Sequence, residues 1–266
     1  MKTLLIDLDK CVGCYACQVG CKDEHCEQSW MPYAEAQPET GQFWMRVDER
    51  ERGKRPHVKV TYIPTPCQHC ADAPCMKVAK DGAVYRREDG LVIIDPEKAK
   101  GQKAIKDACP YHAIYWNDVL NIPQKCTGCA HLIDEGDTIT HPRCYDNCVH
   151  GAISWGEESA LDLADAERLH PEFGTSPKIW YKGLPKRFIA GRVYDPEEKE
   201  VVEGAVVTAS GGGGSFTTKT NWIGDFWLRG LPDGDWTVSI EGQGKKKVLE
   251  VSTKQEDVGL GDVPLN

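Results

Sequence analysis

Between Cys11 and Cys21 the chain places four cysteines, Cys11, Cys14, Cys17 and Cys21, with gaps of two, two and three residues. No other feature limits its fold so strongly. Thiols this close cannot pair among themselves without straining disulfide geometry. The full count of 13 cysteines is odd, so metal or cluster ligation in a reducing compartment is the better reading. All thirteen fall between Cys11 and Cys148, which sets a cysteine-rich region apart from a cysteine-free one. The 32 basic and 41 acidic residues leave a formal charge of −9, which argues against a nucleic-acid or anionic-membrane partner. No apolar run reaches the roughly 18 residues of a membrane-spanning helix, so no membrane anchor is expected. The first twenty residues carry neither an apolar signal core nor a twin-arginine pair, so a cytoplasmic location is expected.

C-x2-C-x2-C-x3-C is the spacing with which bacterial ferredoxins hold 4Fe-4S clusters, three thiolates serving one cube while the fourth serves another. One run therefore requires a second. Cys126, Cys129, Cys144 and Cys148 supply it. The reciprocal assignment gives one cluster Cys11, Cys14, Cys17 and Cys148, and another Cys126, Cys129, Cys144 and Cys21. Cys67, Cys70, Cys75 and Cys109 make a third. Ferredoxin spacing counted back from Cys109 and forward from Cys75 reaches Ile105, Gln102, Ala99 and Ala79. A whole ligand set is replaced there while its frame survives, and alanine and isoleucine offer no donor atom. Three zinc ions are the plain alternative, but zinc favours paired C-x2-C knuckles over this run. Cys26 fits no cluster and reads as a free thiol.

Four cysteine groups, crossed first with fourth and second with third, resemble the iron-sulfur subunit of the dimethyl sulfoxide reductase family of molybdopterin enzymes. The supporting segments include Asp7-Leu8-Asp9-Lys10-Cys11-Val12-Gly13-Cys14, Gly41-Gln42-Phe43-Trp44-Met45-Arg46-Val47 and Cys109-Pro110-Tyr111-His112-Ala113-Ile114. The resemblance covers residues 1–160 and implies a ferredoxin-like domain that wires electrons to a large molybdopterin-containing catalytic subunit. Molybdopterin would sit only on that partner, and this chain would hold three 4Fe-4S clusters and no catalytic residue. The missing cluster resembles the distal one, which implies a wire without its membrane-side end. A free-standing polyferredoxin and a scaffold with purely structural clusters are the competing readings.

The remaining sequence divides into a polar connecting segment, 161–185, with a short helical stretch near Leu161–Leu169, and a β-rich domain, 186–266. Short alternating runs at Phe188–Tyr194, Gly204–Ala209, Phe216–Thr220, Asp225–Leu228, Trp236–Ile240 and Lys247–Val251 predict an all-β sandwich or barrel. Ile189–Asp195, Val202–Val207 and Thr220–Phe226 resemble transthyretin-like or carboxypeptidase-regulatory-like domains, so the expected class is α+β, a multi-cluster ferredoxin-like domain followed by a transthyretin-like or immunoglobulin-like sandwich. Gly211–Gly214 reads as a flexible loop. One of Trp222, Trp227 and Trp236 is expected to face a partner, and Lys245–Lys247 to charge an edge strand. Asp134, Glu135 and Asp137 read as a solvated acidic face. His69, His112, His131 and His150 sit within the cysteine motifs, where histidines are more often packing residues than groups bonded to sulfur.

Overall fold

A computed structural model describes residues 2–136 and 139–266. It divides into two compact units, the first running up to Glu49 and resuming over Tyr62–Leu184, the second comprising Arg50–Thr61 and Pro185–Asn266. Asp137, read above as part of an acidic face, lies outside the described residues. Its neighbour Asp134 is ion-paired with Arg87 at 2.7 Å, and the bonds from Arg87 hold its carboxyl down to about 2.

The first unit is organised by the strand Lys2–Asp7, whose run Thr3-Leu4-Leu5-Ile6 is buried on both faces. Such continuous burial marks a strand in the interior of a sheet covered on both faces. Ile153–Glu157 pairs antiparallel on one side, with Ile6 opposite Ile153, and Trp180–Lys182 pairs parallel on the other. The stretch just before the first cysteine thereby meets the stretch just after the last. Asp7 N–H donates to Ala152 C=O at 2.7 Å. Five short helices punctuate the rest: α1 Ala16–His25, α2 Pro74–Val78, α3 Ala104–Asp107, α4 Ala130–Glu135 and α5 Arg143–Asp146. Two three-residue hairpins, Val84–Arg86 with Val92–Ile94 and Tyr115–Asn117 with Ile122–Gln124, follow the middle cysteines.

Residues 161–185, expected as a surface connection, instead complete this unit. Trp180–Lys182 joins the sheet, Glu167–Arg168 pairs beyond it, and Tyr181 is wholly buried. The expected helix near Leu161 is replaced by a 3-10 turn at Glu158–Ala160 and that strand. Pro171, Pro177 and Gly183 break the local pattern, and the long-range parallel pairing outweighs them.

In the second unit, two four-stranded sheets enclose one apolar core. Arg187–Asp195 lies between Glu200–Val201, Asp225–Leu231 and the parallel Val258–Pro264. Val206–Gly211 and Asp235–Gly242 form the centre of the other sheet, flanked by Gly214–Lys219 and Lys245–Ser252. Alternation puts Trp236, Val238 and Ile240 inward, as period-two patterning requires. Each of the six expected runs falls on an observed strand, although Gly204, Ala205 and Thr220 lie outside those strands; Glu200–Val201 and Val258–Pro264 are additions. Gly211–Gly214 is no flexible loop but a two-residue hairpin turn, with Gly212 and Gly213 at φ 49° and 92°. A Cβ on Gly212 would stand 2.4 Å from the Trp236 ring, so glycine is required twice over. Trp236 fills the core, Trp227 packs against Phe188 and Trp222 stands 75% exposed. Lys245–Ser252 is an edge strand, with Lys245 paired to Asp195 at 2.8 Å.

Residues 50–61 belong with this unit, although they lie far from it in sequence. They are the outer end of the hairpin Met45–Lys54 and His57–Pro66. Arg52 reaches both carboxylate oxygens of Asp257 at 3.2 Å and lies over the Phe188 ring.

Candidate iron-sulfur centres

The strand pairing just described carries the Cys11–Cys17 loop to Cys148. Gly13 turns the loop at φ 69°, and the Tyr62 ring lies 2.4 Å from where its Cβ would stand. Tyr15, also left-handed, starts α1, so Cys17 falls in the first turn. Cys11, Cys14, Cys17 and Cys148 line one cavity of about 360 Å³. Burial pushes the Cys17 thiol up to about 12, with the sulfurs of Cys11, Cys148 and Cys14 adding to it.

Cys21 stands four residues beyond Cys17 on α1, and that spacing puts both on one helix face. Cys144 lies on α5 and Cys148 in the turn just after that helix ends. The two helices pack together, and Gly20 permits it: a Cβ there would lie 2.3 Å from the Asn147 amide. α1, and α5 with the turn that follows it, thus each serve two neighbouring groups. Cys21, Cys126, Cys129 and Cys144 line a second cavity of about 620 Å³. Burial raises both Cys21 and Cys144; after it come the sulfurs of Cys126 and Cys129 for Cys21, and those of Cys129, Cys126 and Cys21 for Cys144. Gly128, at φ 67° over Leu91, turns the Cys126–Cys129 loop and donates its N–H to Cys126 Sγ at 3.3 Å.

The third group is Cys67, Cys70, Cys75 and Cys109. Burial pushes Cys70 up to about 12, and Cys67, Cys109 and Cys75 act on it in turn. Arg86 spans the carbonyls of Cys70 and Ala71 at 2.5 and 2.9 Å. The residues that sequence reasoning missed come from the supposed connection. Ala71 and Asp72 N–H donate to Ser176 and Thr175 carbonyls, Lys178 N–H donates to Gln68 C=O, and Gln68 Nε2 donates to Tyr181 Oη. The alternating Ile179-Trp180-Tyr181 was the available signal, hidden between Pro177 and Gly183.

These three groups adjoin in series. Cys17 acts on Cys21, and Cys67 acts on Cys126. Cys26 joins none of them; it forms a strand bridge with Gln37 after α1 ends. Among the described residues no three His, Cys, Asp or Glu side chains converge on one ion. An all-sulfur donor set in apolar surroundings, with backbone N–H groups on Cys126 Sγ and on Cys148 Sγ, fits an iron-sulfur cube. Burial alone favours the neutral thiol; bound iron would reverse that by stabilising the thiolate.

Where the fourth ligand set would stand, the chain has repacked. Ala99 and Ile105 are wholly buried in the core, and Ala79 packs on it. Gln102 bridges the two segments, accepting from Lys80 N–H at 2.8 Å and donating to Lys98 and Lys80 carbonyls. Gln102→Ala is expected to cost about 1–2 kcal/mol in a denaturant titration of the loaded protein, with no change in iron content.

The histidines divide. His112 and His150 are exposed, and His131 stacks on Trp30 while bonding Glu24 at 2.9 Å. His69 is buried. His25, not singled out in the sequence, brings Nε2 within 3.9 Å of Cys129 Sγ, and burial with the nearby His131 lowers it to about 3.

A family model described as a 4Fe-4S dicluster domain matches residues 58–158, and one for a carboxypeptidase regulatory-like domain matches 189–263. The small subunit of pyrogallol hydroxytransferase from Pelobacter acidigallici is 41% identical, covering 98% of either chain. A putative iron-sulfur subunit of dimethyl sulfoxide reductase from Halobacterium salinarum is 33% identical over 67% of this chain and 77% of its own. The chain belongs to the iron-sulfur subunits of the molybdopterin oxidoreductases. A sulfite dehydrogenase subunit from Allochromatium vinosum is a further relative, 35% identical over 73% of this chain and 87% of its own. Electron transfer is the work of an iron-sulfur subunit of this family. No helix among the described residues is long and apolar enough to cross a membrane.

Proposed function

We propose that this iron-sulfur subunit holds three 4Fe-4S clusters and serves a large molybdopterin-containing catalytic subunit in the cytoplasm. The observation that carries the reading is the crossed placement of four cysteines: α1 holds Cys17 of the first group and Cys21 of the second, while α5 holds Cys144 of the second and the turn just after it holds Cys148 of the first. The ligands are Cys11, Cys14, Cys17 and Cys148; Cys21, Cys126, Cys129 and Cys144; and Cys67, Cys70, Cys75 and Cys109. The clusters supply one-electron storage when bound. The chain's own part is to hold deprotonated sulfur, offer N–H groups to it and exclude water. The first group opens to solvent through exposed Cys14, with Val12 and Val149 exposed beside it. Apolar side chains so placed suit docking by the catalytic subunit, where the active site would lie.

The reaction best supported is hydroxyl transfer between aromatic rings, in keeping with the Pelobacter relative, which is named as a pyrogallol hydroxytransferase small subunit. Such a transfer is redox-neutral overall and needs no exit for electrons. That agrees with the absent fourth ligand set and with Gln102 in its place. The test is anaerobic purification of the native complex with iron, molybdenum and sulfide analysis, then assay on trihydroxybenzenes. About twelve irons per copy, molybdenum on a large co-purifying chain and hydroxyl transfer are expected. Twelve irons without partner or molybdenum would leave a polyferredoxin, and zinc in place of iron would end the reading.

A further inference from the structure

One buried imidazole stands between the second and third cysteine groups with half of its hydrogen-bonding capacity unused. His69 is 6% exposed and lies in the Cys67–Cys70 turn, held left-handed at φ 44°. Val92 N–H donates to its Nδ1 at 3.0 Å. A backbone N–H can only donate, so Nδ1 carries the lone pair and the proton of the neutral ring sits on Nε2. That Nε2 is buried with no partner among the described residues. Val92 is itself fixed: it is buried in the strand Val92–Ile94, and its carbonyl accepts from the Lys125 ammonium. His69 nevertheless lines the cavity that holds all four cysteines of the other group, Cys21, Cys126, Cys129 and Cys144, with Cys67 alone of its own group on the same wall.

We propose that His69 donates its Nε2 proton to a sulfur of the cluster held by Cys21, Cys126, Cys129 and Cys144, and so raises that cluster's reduction potential. The inference rests on the cluster reading above. A buried N–H needs an acceptor, and this cavity presents sulfur. Reduction adds negative charge to the cluster, so a fixed donor stabilises the reduced state more than the oxidised one. The residue thereby belongs by sequence to one cluster and acts on its neighbour, favouring electron residence in the middle of the series. His25 also faces this cavity, but no backbone donor fixes its proton on either nitrogen.

The test is potentiometric titration of the anaerobic complex followed by electron paramagnetic resonance, with His69→Asn and His69→Gln. Asparagine tolerates the left-handed backbone and removes the reach of the donor; glutamine keeps an N–H near the position of Nε2. For His69→Asn, one midpoint of the three is expected to fall by about tenfold in the reduction equilibrium, 59 mV for one electron. His69→Gln should recover most of it, with about twelve irons kept in both. A nitrogen coupling of the reduced cluster that ¹⁵N-histidine labelling alters in the unmutated protein should be lost in His69→Asn, which leaves His25 beside Cys129 in place. Unchanged midpoints, an equal fall in all three, or no such coupling would overturn the role of His69. Absence of any reducible cluster signal would instead remove the reading beneath it.

Discussion

Cys21→Ala is expected to lower the iron of the anaerobically purified chain from about twelve atoms to about eight, while Cys26→Ala leaves it at twelve. The two cysteines are five residues apart, and only the first completes the C-x2-C-x2-C-x3-C spacing. The structure agrees. Cys21 is buried on the face of α1 toward α5, where Cys126 and Cys129 act on its thiol. Cys26 has already left the helix, its backbone extended, and its strand bridge to Gln37 points the chain elsewhere. Loss of one thiolate from a four-sulfur set leaves an iron corner open to water and oxidant, so a whole cube is expected to be lost. The first group should survive, because Cys17 keeps its place in the first turn of α1. Iron and sulfide analysis decides this. Equal iron in both variants, or loss in Cys26→Ala alone, would mean that the crossed assignment is wrong.

How much of this can be read without coordinates depends on the range of the interaction concerned. Cysteine grouping is legible because each loop is short and its turns are written in the sequence, Gly13 and Gly128 both standing at positive φ. The six strand runs of the second unit are legible for a similar reason, since alternation is a local pattern. What escapes is long-range. Tyr62, about fifty residues from the loop it supports, meets Gly13 only because the strand pairing folds the chain back. Residues 50–61 join the second unit through Arg52 and Asp257, which no periodicity connects. Residues 161–185 read as a connection because prolines and glycines punctuate them. The parallel partner of Trp180–Lys182 lies near the start of the chain, so the decisive signal is the apolar run Leu4-Leu5-Ile6, which marks a strand interior to its sheet. The replaced ligand set shows the converse. Ala79, Ala99, Gln102 and Ile105 are found by counting, yet their present role, apolar packing and a hydrogen-bonded bridge, emerges only in three dimensions.

Removing the clusters should unfold the first unit and leave the second standing. Apart from α1, the helices of the first unit have four to six residues, well below the roughly 12–15 at which an isolated helix becomes even marginal. Its two minor hairpins pair strands of three residues. Cys17, Cys21, Cys67, Cys70, Cys75 and Cys144 are themselves buried members of its core, so the binding energy of the clusters is folding energy. The second unit draws on another source, two four-stranded sheets over a core in which Val193, Val207, Val238 and Ile240 are fully buried. Charge repulsion among the stripped thiols is not the cause of collapse at neutral pH. Burial raises Cys17, Cys70 and Cys129 from the ordinary 9.0 to about 12, so they remain protonated. A thiol raised in the folded state stabilises it below the unfolded value, and that contribution is lost as pH climbs from about 9 toward about 12. Whatever structure the stripped unit retains should therefore weaken further over that alkaline range. Limited proteolysis with mass spectrometry, after the clusters are extruded under denaturant-free conditions, reads both effects. A resistant fragment beginning near Pro185 with its Trp236 near-ultraviolet signal intact is expected, against rapid cutting on the N-terminal side. Equal resistance of the two units would show that the first folds on its own core.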